Sequence, residues 1–135
     1  MSTTVGTSSS NLAALVSIAD NILSAWNEQD VERTLACYTE DCVYLDPNTR
    51  GPVVGQSDLR RYLTKLFQRW RMHWSRREIF PLADGSGSTF LWHATLTPAT
   101  GGKTVEIDGI DLALLRGDKL CRNEVYFDRM ALFGG

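Results

Sequence analysis

The chain has 135 residues, 43% of them hydrophobic and 22% charged, with a formal net charge of −2. That length fits one domain with a core of its own, needing no disulfide or metal staple. The near-neutral balance argues against nucleic acid or an acidic membrane as a partner, and no apolar run approaches membrane-spanning length.

Met1 to Ser10 is rich in Ser, Thr and Gly and lacks the charges and apolar stretch of a signal peptide; it reads as a short disordered tail ahead of a single domain over 11–135. Ser8, Ser9 and Ser10 offer helix caps. Leu12, Leu15, Val16, Ala19, Ile22, Leu23 and Trp26 then recur at helical steps, which predicts an amphipathic helix. Asp30 caps a second, short helix with Val31, Leu35 and Tyr38 turned inward. Thr39, Glu40 and Asp41 read as a polar turn, and Cys42 to Asp46 as a short strand. Pro47, Asn48, Gly51, Pro52 and Gly55 mark a loop. Ser57 or Asp58 caps a third helix whose apolar stripe is Leu59, Tyr62, Leu63, Leu66, Phe67 and Trp70.

The period then changes. Strands are expected over Met72 to Pro81, Thr89 to Thr97, Lys103 to Arg116 and Lys119 to Phe133, the last two joined by a tight hairpin at Gly117 and Asp118. Helices followed by a meander of strands define an α+β fold, in which a curved antiparallel sheet wraps the helices and encloses a pocket.

Three cysteines, Cys37, Cys42 and Cys121, form no Cys-x-x-Cys pair, and the two histidines, His73 and His93, are not spaced as ligands on one element. Free thiols in a reducing compartment follow, with a cytoplasmic location by default and no metal site. Seven basic residues without an acid lie between Leu59 and Arg77. They read as a nucleic-acid grip, an attraction for an anionic ligand at the pocket mouth, or a solvated stripe formed by Arg61, Lys65 and Arg69; the stripe is the simpler reading.

Two carboxyl groups stand out. Asp46 shares a face with Tyr44 and precedes Pro47, where an aspartate commonly starts a turn, and on the sequence alone that is the reading taken. Asp111 interrupts the apolar run Ile110, Leu112, Ala113, Leu114 and Leu115. A carboxyl there is costly unless hydrogen-bonded, protonated or used. Alternation puts Gly109, Asp111 and Ala113 on one face, and that face is taken as the cavity wall unless a bulge resets the phase. By the same alternation Trp92 shares the apolar phase of Phe90 and Ala94, with His93 opposite, and Val125 and Phe127 are pocket-wall residues. Trp26, Tyr38 and Tyr62 complete an aromatic set that either contacts a flat ligand or belongs to the core.

The string Asp41-Cys42-Val43-Tyr44-Leu45-Asp46-Pro47 leads through Gly51 and Gly55 into a helix. The string from Gly109 to Leu120 leads into Glu124-Val125-Tyr126-Phe127-Asp128. Together they resemble SnoaL-like polyketide cyclases and ketosteroid isomerases of the nuclear-transport-factor-2-like superfamily. The resemblance implies a cone-shaped α+β fold and a homodimer. It also implies an aspartate base at Asp46 and a protonated aspartate at Asp111 that donates to an oxyanion; Asp128 matches the family too, but its phase, opposite Val125 and Phe127, makes it structural. Neutral aspartic acid as an oxyanion donor is the worked case of ketosteroid isomerase itself. Two departures stand beside it. Ile22 occupies the place of the isomerases' tyrosine donor, and Phe90 to Leu96 lacks the Asp and Arg of epoxide hydrolases of this fold.

The expected function is acid/base proton transfer without a cofactor on a small hydrophobic carbonyl or polycyclic substrate, as an isomerase, cyclase or dehydratase. Asp46, Asp111 and Tyr44 are the catalytic candidates; Trp26, Tyr38, Tyr62, Trp92, Val125 and Phe127 are the substrate contacts. The alternative is a module of the same fold that binds a hydrophobic ligand or another protein without chemistry.

Overall fold

The computed structural model describes residues 9–132. The tail expected over Met1 to Ser10 lies outside them, apart from Ser9 and Ser10, which open the first helix. In chain order the elements are α1 (Ser9–Glu28), α2 (Val31–Leu35), β1 (Tyr38–Leu45), β2 (Val53–Val54), α3 (Gly55–Arg69), β3 (Trp70–Pro81), β4 (Gly87–Pro98), β5 (Val105–Arg116) and β6 (Lys119–Tyr126). A short 3-10 helix, Arg129–Leu132, follows.

The strands form one curved, unclosed six-stranded sheet in the order β2-β1-β6-β5-β4-β3. Its pairs are antiparallel except β1 with β6, which run parallel, so the sheet is mixed rather than purely antiparallel. Helix α1 packs on β3 and β4, and α3 packs on β1 and α2. The buried stripes Ala19, Ile22, Leu23 and Trp26 of α1 and Leu59, Leu63 and Phe67 of α3 meet the sheet's inner face, which carries Phe90, Trp92, Ala94 and Leu96 of β4. Leu12, placed in the inward stripe by its spacing, is exposed. No described helix is long and apolar enough to cross a membrane.

Several boundaries differ from the sequence reading. Thr39, Glu40 and Asp41 belong to β1, not to a turn. Between the pairs Tyr38↔Leu120 and Val43↔Arg122 the ladder advances five residues on β1 but two on β6, so this polar stretch is a bulge. Helix α3 starts at Gly55, ahead of the expected caps at Ser57 or Asp58, because Val54 passes from the sheet edge straight into the helix without a side-chain cap. Gly55 makes that corner at φ +83°, a backbone state that suits glycine. Trp70 leaves the helical stripe and begins β3. Strand β6 stops at Tyr126; Asp128 accepts from the Met130 backbone N–H at 3.0 Å and turns the chain into the 3-10 helix, which brings Leu132 back over the sheet's hollow. Phe133, the expected end of that strand, lies outside the described residues.

Strand β3 is an edge, and the end of α1 and the residue just after it, Gln29, cover it with side-chain amides. Asn27 donates to the Trp74 carbonyl at 3.0 Å and accepts from its N–H at 2.6 Å. Gln29 does the same further along, accepting from Met72 N–H at 2.9 Å and donating to the Trp70 carbonyl at 2.7 Å. These amides stand in for a missing strand, satisfy the edge groups, and fix Trp70, Met72 and Trp74 with their side chains turned inward.

Candidate active site

Between the helices and the inner sheet face lies a cavity of about 40 Å³. Its walls are mostly apolar: Ile22, Leu23 and Trp26 from α1, Met72 and Trp74 from β3, Trp92 and Leu96 from β4, Val125 and Phe127 from the end of β6. Two carboxyl groups, Asp46 and Asp111, share this wall, each only 7% exposed.

Asp111 reaches the cavity because β5 turns its odd-numbered positions inward, with Ile107 and Ala113 buried on the same face. Its two oxygens have separate donors: Trp92 Nε1 at 2.7 Å from Oδ1 and Asn123 Nδ2 at 3.0 Å from Oδ2. Asn123 is itself held, giving a second bond to the Leu112 carbonyl at 3.1 Å and accepting from the Tyr38 hydroxyl at 2.8 Å. Burial pushes the Asp111 carboxyl up to about 7, against the lowering effect of its two donors, and the nearby charge of Asp46 adds to the rise. A carboxyl with that midpoint exchanges a proton near neutral pH, which is what a general acid or base requires.

Asp46 is built differently. Its Oδ1 accepts the backbone N–H groups of Asn48 at 2.7 Å and Thr49 at 3.1 Å, the turn geometry expected of aspartate before proline. Its Oδ2 accepts two phenols, Tyr44 at 2.7 Å and Tyr62 at 2.5 Å. The turn reading holds: one oxygen makes the turn, while the other faces the aromatic cluster. Burial first, then the charge of Asp46, holds the Tyr44 and Tyr62 phenols above their usual range, so both remain donors.

Of the residues expected to contact a substrate, Trp26, Trp92, Val125 and Phe127 line the cavity. Tyr38 does not; it lies behind Asn123 as a buried support. Tyr62 lines a second, outer hollow instead. Ile22 is in the wall, so that position offers no hydrogen-bond donor. His93 points outward, between Asp108 at 2.8 Å and Glu106 at 3.0 Å, away from the cavity. Among the described residues no group of three or more His, Cys, Asp or Glu is placed to hold a metal ion.

Two participants were not singled out from the sequence. Asn123 lies two residues before Val125, on the strand phase already assigned to the pocket wall, and a polar residue on that phase was the available signal. Trp74 shares its phase with Trp70 and Met72 but was read only as part of a basic stretch. Among the described residues its indole N–H is buried without a hydrogen-bond partner, while its ring stands edge-on to Trp92 at 4.6 Å between centroids.

A model of the SnoaL-like domain matches residues 19–123, and the chain belongs to that family. Similar solved structures include a ketosteroid isomerase-like protein from Erwinia carotovora, at 21% identity and TM-score 0.72 over 89% of this chain and 98% of that one. The epoxide hydrolase/cyclase-like enzyme SalBIII, which has a role in pyran ring formation in the polyether salinomycin, aligns at 18% identity and TM-score 0.79 over 90% and 95%. An epoxide hydrolase of the LEH-like type from M. tuberculosis aligns at 17% identity and TM-score 0.74 over 90% and 88%. At these identities the likeness is one of fold. Among curated proteins none matches the sequence.

Proposed function

We propose that this chain is an acid/base enzyme that moves a proton on a small hydrophobic carbonyl compound, in the manner of an isomerase, cyclase or dehydratase. The observation that carries the reading is Asp111: a buried carboxyl on an apolar cavity wall, with both oxygens positioned by donors and a midpoint of about 7. Protonated, it donates a hydrogen bond to a substrate oxygen as negative charge develops there. Trp74 Nε1, a donor with no other partner among the described residues, is the second group offered to that oxygen, in place of the tyrosine missing at Ile22.

Asp46 is the base in this reading, with Tyr44 as its positioning residue. A carboxylate has about four acceptor sites, and Asp46 fills them with Asn48, Thr49, Tyr44 and Tyr62. It therefore takes a proton only when a phenol turns away, and Tyr62, which also lines the outer hollow, is the one free to respond to a ligand. A homodimer accompanies the reading on the strength of the family alone, and a cytoplasmic location by default.

The filled acceptor sites of Asp46 favour one other reading, a ligand-binding module without chemistry, because a carboxylate with no free lone pair is not poised to take a proton. In either reading the cavity of about 40 Å³ holds roughly three waters, well below the ~300–1,000 Å³ of pockets for drug-sized ligands. An acceptor-only ketone separates the two. Cyclohex-2-enone, followed by tryptophan fluorescence, should bind below the Asp111 midpoint and weaken above it, and Asp111→Asn should remove that pH dependence. Binding that ignores pH in the wild type, or a pH dependence that survives in the variant, would remove Asp111 from the mechanism.

A further inference from the structure

Outside the cavity lies a second hollow of about 570 Å³. Asn48, Leu66, Trp70 and Leu132 line both, so the two hollows adjoin. The outer hollow carries three cationic groups, Lys65 and Arg69 of α3 and Arg129 beyond β6, and no acidic side chain lines it among the described residues. Lys65 and Arg69 are four residues apart and therefore share one helix face.

The basic stretch of α3 and β3 is not uniform. Arg60 pairs with Glu32 at 2.8 Å, Arg61 with Asp58, and Arg76 with Asp20 at 2.7 Å. Among the described residues, the side chains of Lys65 and Arg69 have neither an ion pair nor a hydrogen bond. Arg129 donates Nε to Asn48 Oδ1 at 2.9 Å, which ties its guanidinium to the loop that carries Asp46. Asp46, on the wall of the adjoining cavity, accepts the Tyr62 hydroxyl on Oδ2, and Tyr62 itself lines the outer hollow. Arg71 donates to the Phe67 carbonyl at 3.4 Å, and Arg77, which like Lys65 and Arg69 has no side-chain partner among the described residues, lines neither hollow. Lys65 and Arg69 are thus the unpaired cations of the basic stretch that lie beside the acid/base cavity.

We infer that the outer hollow is the binding site for the charged end of an organic anion whose slender apolar end enters the cavity. This rests on the reading of the inner cavity as the reaction site and adds the class of substrate: a hydrophobic carbonyl compound bearing a carboxylate or phosphate tail. The inner volume admits only a slender group, whereas the outer volume falls in the range of ligand sites. A hydrogen-bonded anion on Lys65 and Arg69 would gain on the order of tenfold in affinity over a neutral isostere.

Three probes with one ketone end test this: 4-acetylbenzoate, 4-acetylbenzamide and 4-acetylphenylphosphonate. They are titrated by tryptophan fluorescence near pH 6, below the Asp111 midpoint. In the wild type the anions should bind about tenfold more tightly than the amide, with the advantage falling as salt is added. The order of benzoate and phosphonate tells which anion the hollow prefers. In the double variant Lys65→Gln, Arg69→Gln the advantage should vanish while amide affinity stays the same. Asp111→Asn should weaken all three probes alike and leave the anion advantage intact, so a failure at Asp111 is read separately from a failure at the hollow. Equal affinity for charged and neutral probes in the wild type, or an advantage that persists in the double variant, overturns the inference.

Discussion

Trp92 lies across the sheet from Gly109, its register partner, and its indole N–H reaches diagonally to Asp111 Oδ1 at 2.7 Å. The contact depends on the missing side chain. A Cβ at Gly109 would fall 2.3 Å from Trp92 Cζ2 and 2.7 Å from the Tyr126 carbonyl oxygen, closer than atoms pack. Glycine therefore clears the floor on which the indole rests, and the indole in turn orients the carboxyl.

Gly109→Ala should push the Trp92 ring from its place and loosen its bond to Asp111. The expected loss is about 1–3 kcal/mol, the usual range for overpacking a filled core. Urea denaturation measures the loss, and near-ultraviolet circular dichroism reports whether the tryptophan has moved. An unchanged midpoint and spectrum would mean the backbone yields instead.

Asp111 should weaken the fold as pH rises. In the unfolded chain its carboxyl ionises near the ordinary aspartate value of about 3.9; in the folded chain it keeps its proton up to about 7. Between those values the folded state holds one proton more, so stability from this group falls with pH through the window and levels off above it. Urea midpoints from about pH 4 to pH 8 should fall more steeply in the wild type than in Asp111→Asn. Parallel curves would show that Asp111 ionises freely in the folded protein.

Tyr38→Phe tests the support behind the site. The phenol donates to Asn123 Oδ1 at 2.8 Å, and without it a buried amide oxygen is left without a donor, at a cost of about 1–3 kcal/mol. The Asn123 bond lowers the Asp111 midpoint, so slackening it should move that midpoint further up. A pH titration of tryptophan fluorescence reads the shift. Lost stability with an unmoved midpoint would make Tyr38 a packing residue only.

The order of elements was legible because it rests on local periodicity. Helical steps in α1 and α3, alternation in β4 and β5, and the turn residues at Gly117 and Asp118 each lie within a few residues of one another. Alternation also placed Asp111, Trp92, Val125 and Phe127 on the inner face, since side chains along a strand take opposite faces in turn. It failed at β1, where the bulge is a feature of the pairing with β6 and has no signature within β1 itself.

Sequence alone thus determined which faces of β4 and β5 turn inward, and with them much of the apolar character of the cavity and the place of Asp111. Tertiary structure decided which of the inward groups meet. The chain joining Tyr38, Asn123 and Asp111 closes across 85 residues, from the start of β1 to β6. The midpoint of Asp111 depends on burial by walls from α1, β3, β4 and β6, and the pairing of Lys65 and Arg69 with the cavity mouth depends on where α3 lies against β3 and the 3-10 helix. These are sums over distant neighbours in a low-dielectric interior, and a pattern read along the chain does not contain them.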